Sequence, residues 1–205
     1  MTRVYKSSWE FIKEIEDSEP PYQSLSLDDF DELGDRHFIV DPVRMRDFAK
    51  AFSKNRTIRS FYFTSGLRNY SYSQFEWLLK AIAGNRSLTS LKFKETNNRY
   101  YWTNYFDEID VNIFKMLMNM IANHPTIKKL DFSGVTLRWL GSEKFNLFLN
   151  AIAANEGLDS FNFSSALFYS WGQPAINLRT KQFKSLLDIL SKKRITVLDL
   201  SSNCF

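Results

Sequence analysis

The segment Ile195-Thr196-Val197-Leu198-Asp199-Leu200-Ser201-Ser202-Asn203-Cys204-Phe205 decides the architecture. An apolar residue is followed by two others, a second apolar residue by one other, and then a third apolar residue and an asparagine. Five further stretches carry the same frame: Tyr22-Leu25-Leu27, Ile58-Phe61-Phe63, Leu88-Leu91-Phe93, Ile127-Leu130-Phe132 and Leu158-Phe161-Phe163. The first positions are separated by 36, 30, 39, 31 and 37 residues, so the period alternates between long and short. Phe52, Ile82, Ile121, Ile152 and Ile189 all stand six residues before a frame begins, and Asn55, Asn85 and Asn155 stand three before. Three kinds of position held in one register identify an internal repeat.

Each part of the unit has its own local chemistry. In 73–85, Phe75, Leu78, Leu79 and Ile82 recur at three and four residues, the period of an amphipathic helix. Ser73 is the expected N-cap. Gly84-Asn85 is the expected stop, where either residue takes positive φ at little steric cost. The Ser-Leu-Thr-Ser-Leu-Lys-Phe that follows alternates, as a strand with one buried face does. Further helices are expected near 7–17, 43–54, 111–123, 142–154 and 180–192. One helix and one short strand cannot bury their own apolar faces, but stacked copies make a continuous core.

The frame resembles the strand segment of a leucine-rich repeat. The long units with full helices resemble the ribonuclease-inhibitor type, and Ala51 to Phe61 is similar to a helix-turn-strand unit of the tropomodulin C-terminal domain. The resemblance covers roughly 42–205. It implies an α/β right-handed leucine-rich-repeat solenoid of five or six strand–helix units, with a parallel sheet on the concave face and helices on the convex face. Residues 1–41 form either an acidic N-terminal cap or a divergent first repeat, and the chain as a whole is one continuous domain. Two departures stand out. Phe often replaces Leu, and the ladder asparagine occurs only at Asn203, with Gly66, Thr96, Val135 and Ala166 in its place elsewhere. Those turns must satisfy their backbone groups by other means. The resemblance implies protein partners such as enzymes, small GTPases, actin or ubiquitin-ligase components. A leucine-rich repeat rich in Phe, Asn and Lys and lacking a secretion signal also resembles effectors of intracellular bacteria that act by binding a host protein.

Composition narrows the class. No stretch nears ~18 apolar residues, so no transmembrane helix is indicated. The first residues lack the apolar core of a secretory leader. One cysteine, Cys204, allows no internal disulfide and fits a cytoplasmic, reducing setting. Four Asn-x-Ser/Thr sequons start at Asn55, Asn69, Asn85 and Asn162; turn chemistry explains Asn55 and Asn85, and without a secretion signal glycosylation is not expected at any of them. Charge is uneven: 1–41 hold 4 basic and 11 acidic residues, and 42–205 hold 23 and 12. The pattern suggests an acidic partner or attraction between the two parts, the competing reading being that most of these charges are solvated helix faces.

The residues between frame positions face the concave surface. Lys92, Lys94 and Lys129 should lie close together there as a basic centre, with Tyr62 and Asp131 beside them. The long units carry aromatic insertions: one holds Arg99, Tyr101 and Trp102, the other Tyr169 and Trp171, and Trp139 follows the strand between them. Aromatics with arginine are the usual substance of interface hot spots. The competing reading is that they cover an open edge of the core.

Catalysis has little support. His37 and His124 lie in different units, no phosphate-binding glycine loop or zinc spacing occurs, and no cofactor is expected. The leading expectation is a non-catalytic protein–protein interaction scaffold. The runner-up is a nucleic-acid-binding module using the basic centre and aromatic loops. The last frame lacks a following polar cap, so self-association through the C-terminal repeat is a further expectation.

Overall fold

In the computed structural model, residues 8–17, 23–26, 41–63, 71–93, 109–135, 140–166 and 176–203 are described. Helix and strand alternate along the chain: α1 (Ser8–Asp17), β1 (Ser24–Ser26), α2 (Pro42–Lys54), β2 (Ser60–Phe63), α3 (Tyr72–Gly84), β3 (Ser90–Phe93), α4 (Val111–Asn123), β4 (Lys129–Asp131), α5 (Ser142–Ala154), β5 (Ser160–Asn162), α6 (Ile176–Leu190) and β6 (Val197–Asp199). The strands form one open sheet in sequence order, every neighbouring pair parallel. This is an α/β leucine-rich-repeat solenoid whose helix-containing crossovers are of the right-handed kind. Six strand–helix units are present among the described residues, since β1 pairs with β2 in the same register as the others, Leu25 opposite Phe61.

The described frame positions of the first five units fall where the pattern placed them, whereas Leu198 of the sixth is exposed and Ile195 and Leu200 are only partly buried. Leu25, Phe61, Leu91, Leu130 and Phe161 are buried, as are Phe63, Phe93, Phe132 and Phe163. The helices contribute Phe11, Phe48, Leu78, Leu117 and Phe148 to the same core. Phenylalanine in place of leucine has a structural consequence. Phe63, Phe93 and Phe132 stack face to face along the solenoid axis at 4.8 and 4.5 Å between centroids, and Phe148 closes edge-on against Phe132 at 5.2 Å. Such pairs add to the stabilisation from burial alone.

Three local expectations change. The N-cap of α3 is Ser71, not Ser73. Gln74 lies three residues after Ser71 and closes a reciprocal capping box. Helix α6 begins a turn earlier than 180 and ends at Leu190. Beyond it, Lys192 and Lys193 donate to Ile189 and Leu190, a tightening that closes the last turn. Asn85 does not take positive φ; it sits at φ −79°, and its side chain explains its presence.

That side chain belongs to a polar ladder at the turn from helix to strand. Asn55 Nδ2 donates to the Ile15 carbonyl, Asn85 Nδ2 to Phe52, and Asn155 Nδ2 to Ile121, at 2.7–2.8 Å. Each bond reaches from one unit to the end of the preceding helix, where carbonyls lack helical partners. His124 occupies the equivalent place in the fourth unit, its Nε2–H donating to the Ile82 carbonyl at 2.9 Å. Lys193 does similar work in the sixth unit, donating from Nζ to Ala153 and Asn155. Asn55 and Asn85 are buried and committed to these bonds, which leaves no room for a glycan on either.

At the other end of the strands, Asp131, Asn162 and Asp199 each accept from the backbone N–H two residues on, at Ser133, Ser164 and Ser201. These Asx-turns lead into left-handed residues at one repeat position, Gly134, Ser165 and Ser202. Backbone bonds between units continue past the strands, from Gly134 to Ser164 and from Ser165 to Ser201. The two described turns that lack the ladder asparagine, those at Val135 and Ala166, are satisfied in this way. Asn203, which has it, donates to Phe163 and Leu200.

Candidate functional site

Among the described residues, helices cover one face of the sheet only. Parallel sheets are nearly always covered on both faces, because a strand buried on each side reads as continuously apolar. Here alternate strand residues are polar apart from Val197, and no described element lies over them. Two rows cross the sheet. One runs Ser24, Ser60, Ser90, Lys129, Ser160, Val197; the other runs Ser26, Tyr62, Lys92, Asp131, Asn162, Asp199. Every member of the second row is partly accessible to solvent. Strand spacing fixes neighbours within a row at about 4.8 Å.

Lys92 and Asp131 face each other in register and form an ion pair, Nζ to Oδ2 at 2.7 Å. Burial alone would raise the Asp131 pKa. Hydrogen bonds from the Lys92 ammonium and from Ser133 outweigh it and hold the carboxyl below the usual range. The expected basic centre is therefore altered. Lys92 is neutralised by Asp131, and Lys129 stands opposite Ser90, diagonal to Lys92. The described face carries two lysines and two aspartates and is balanced in charge. The frame register had set Asp131 beside Lys92 although they are 39 residues apart; the ion pair between them is what the structure adds.

The structure thus brings Tyr62, Lys92, Lys129 and Asp131 onto one surface. Lys94, Arg99, Tyr101, Trp102, Trp139, Tyr169 and Trp171 lie outside the described residues, as do His37 and Cys204.

His124 is 5% exposed. Its Nε2–H is bonded to Ile82, while Nδ1 accepts from the Thr126 N–H at 3.3 Å. Burial lowers its pKa, the Ile82 carbonyl opposes that shift, and Arg86 adds to it. Both nitrogens are occupied by structure. Among the described residues no group of three or more His, Cys, Asp or Glu is placed to hold a metal ion, and no helix is long and apolar enough to cross a membrane.

No protein-family model matches the chain, and no curated protein matches it in sequence. Among solved structures, the chain is similar to a tropomodulin C-terminal domain from Caenorhabditis elegans, with a TM-score of 0.48 and 14% identity over 91% of this chain and 97% of that one. It is also similar to actin-binding site 2 of leiomodin-1, with a TM-score of 0.45 and 10% identity over 90% and 92%. Likenesses this distant add nothing to the architecture already defined by strand order and register.

Proposed function

We propose that this protein is a non-catalytic recognition scaffold whose partner, another protein, docks on the bare face of the parallel sheet. The second face, over which no described element lies, carries this reading. A rigid two-row array of serine, tyrosine, lysine, aspartate and asparagine is held at strand spacing by a core that needs none of those side chains. Tyr62, Lys92, Lys129 and Asp131 are its central members. The internal Lys92–Asp131 pair sets orientation more than affinity, as charged groups at interfaces generally do. The proposal extends to Arg99, Tyr101, Trp102, Trp139, Tyr169 and Trp171, whose segments connect strand ends to the following helices. Binding residues concentrate on such connections over a rigid scaffold. Residues 1–41 serve as the first unit of the same solenoid.

The test is capture from a lysate of the source cells by wild type, by Tyr62→Ala/Asn162→Arg on the sheet face, and by Lys80→Ala on the helical face. The expected result is a protein retained by wild type and Lys80→Ala and lost by the double variant, with all three equally folded by circular dichroism. Capture of the same proteins by all three would refute the sheet face as the site. Nuclease-sensitive capture would favour nucleic acid instead.

A further inference from the structure

A second surface lies on the edge where helices end and strands begin. Backbone bonds align Arg59, Thr89 and Lys128 across three strands, Thr89 N–H to Arg59 and Lys128 N–H to Thr89. Arg56 and Arg86 occupy one repeat position in adjacent units, and Lys129 follows Lys128 at the start of β4. Arg56, Arg59, Arg86, Lys128 and Lys129 are all exposed. The three segments that carry them, 53–60, 83–90 and 122–130, contain no carboxylate. The sign reverses in the fifth unit, where Glu156 stands at the position of Arg56 and Arg86, and Asp159 at that of Arg59 and Lys128.

Complementing helix dipoles explains only part of this cluster. Arg56 Nη1 donates to the Ser53 and Asn55 carbonyls at the end of α2, as a cation at a helix C-terminus does. Arg59, Lys128 and Lys129 are on the strand side of the turn and have no such duty. Arg59 spends one nitrogen on the Ser87 carbonyl at 3.0 Å, which fixes its direction and leaves the other guanidinium donors for a ligand. The cluster crosses three strands, about 10 Å, the length of three residues of extended chain.

The same segments narrow the ligand. They hold no Phe, Tyr or Trp, so there is no platform on which a single-stranded base could stack. Their bulky apolar residues Ile58, Leu88 and Ile127 are buried, so nothing is offered to a bilayer interior. What remains is a short row of fixed cations matched to carboxylates.

We propose that this edge, in units two to four, docks a short acidic segment of a partner polypeptide. Lys129 borders both surfaces, but Arg86 and Lys128 lie outside the two rows of the sheet face, so each proposal stands or falls by its own variants. The probe is a labelled oligoglutamate of roughly ten residues, read by fluorescence anisotropy at about 0.05 M and 0.15 M ionic strength. Oligoglutamine, oligothymidylate and phosphatidylserine vesicles are run beside it. Wild type should bind oligoglutamate and not oligoglutamine, more weakly at the higher salt. Arg86→Glu/Lys128→Glu should weaken binding at least about tenfold. The same charge change on helical faces, Lys115→Glu/Lys184→Glu, should leave most of it. If the first pair fails to fold, Arg86→Gln/Lys128→Gln answers the same question and should still lose several-fold. Absence of oligoglutamate binding at the lower salt, or equal losses from the two charge reversals, overturns the proposal. Tighter binding of oligothymidylate or vesicles through Arg86 and Lys128 overturns it in favour of nucleic acid or membrane.

Discussion

Asn85→Ala should be among the most damaging polar substitutions in the chain, and the structure supplies its size. Asn85 is fully buried. Its Oδ1 accepts from the backbone N–H of Ser87 at 2.9 Å, from the Ser87 hydroxyl at 2.7 Å and from the N–H of Leu88 at 3.0 Å. Its Nδ2 donates to Phe52 at 2.7 Å. Truncation leaves the Phe52 carbonyl with the Asn55 N–H, and the Ser87 hydroxyl with the Ile58 carbonyl. The two backbone N–H groups lose their acceptor in a dry site. At about 1–3 kcal/mol for each orphaned buried group, the cost is roughly 2–6 kcal/mol. Asn155 is the internal control. It occupies the same repeat position and donates to Ile121 at 2.8 Å, but its Oδ1 is buried without a partner. Asn155→Ala therefore strips the Ile121 carbonyl of its donor but also deletes an oxygen that is already unpaired, so the two effects offset and the cost should be only about 0–1.5 kcal/mol. Urea denaturation of both variants, with hydrogen exchange at the amides of 87 and 88, measures the difference. Equal losses, or an Asn85→Ala loss below about 1 kcal/mol with those amides still protected, would refute the ladder as an energetic feature.

Three further outcomes are expected. His124 binds fewer protons folded than unfolded between its lowered pKa and the ordinary 6.5, so its contribution is complete above 6.5 and is lost as pH falls through the folded value. The slope reaches at most about 1.4 kcal/mol per pH unit, and in urea midpoints measured against pH, His124→Asn should flatten it. Phe132→Ala should cost roughly 3–5 kcal/mol in chemical denaturation, because it opens the aromatic stack. Lys92→Ala should cost no more than about 1 kcal/mol, because the ion pair it breaks is partly exposed, and similar losses for the two would put the strand register in error. On β6, Val197 and Leu198 are 58% and 46% exposed, although Leu198 holds a frame position buried in the other units. Sedimentation under reducing conditions should show concentration-dependent association that Leu198→Lys weakens, whereas a monomer at all concentrations would count against edge pairing.

The sequence alone determined the alternation of helix and strand, the frame of inward residues and the parallel order of the sheet. These follow from short-range periodicity repeated at every unit, so each copy corroborates the others. The helices Val111–Asn123 and Ser142–Ala154 were legible to the residue for that reason. The polar ladder was visible as spacing but not as bonding. Asn55, Asn85 and Asn155 stood in line, yet their acceptors at Ile15, Phe52 and Ile121 are 40, 33 and 34 residues away. The place of His124 at a helix-to-strand turn was legible too, but only tertiary structure decided that its ring reaches the Ile82 carbonyl, that Lys92 and Asp131 close into an ion pair, and that the Arg59 guanidinium is fixed by the Ser87 carbonyl. The physical reason is common to all three. Units of unequal length are brought into one register by stacking, and charge and hydrogen-bond partners are chosen across that stack, where sequence distance carries no information.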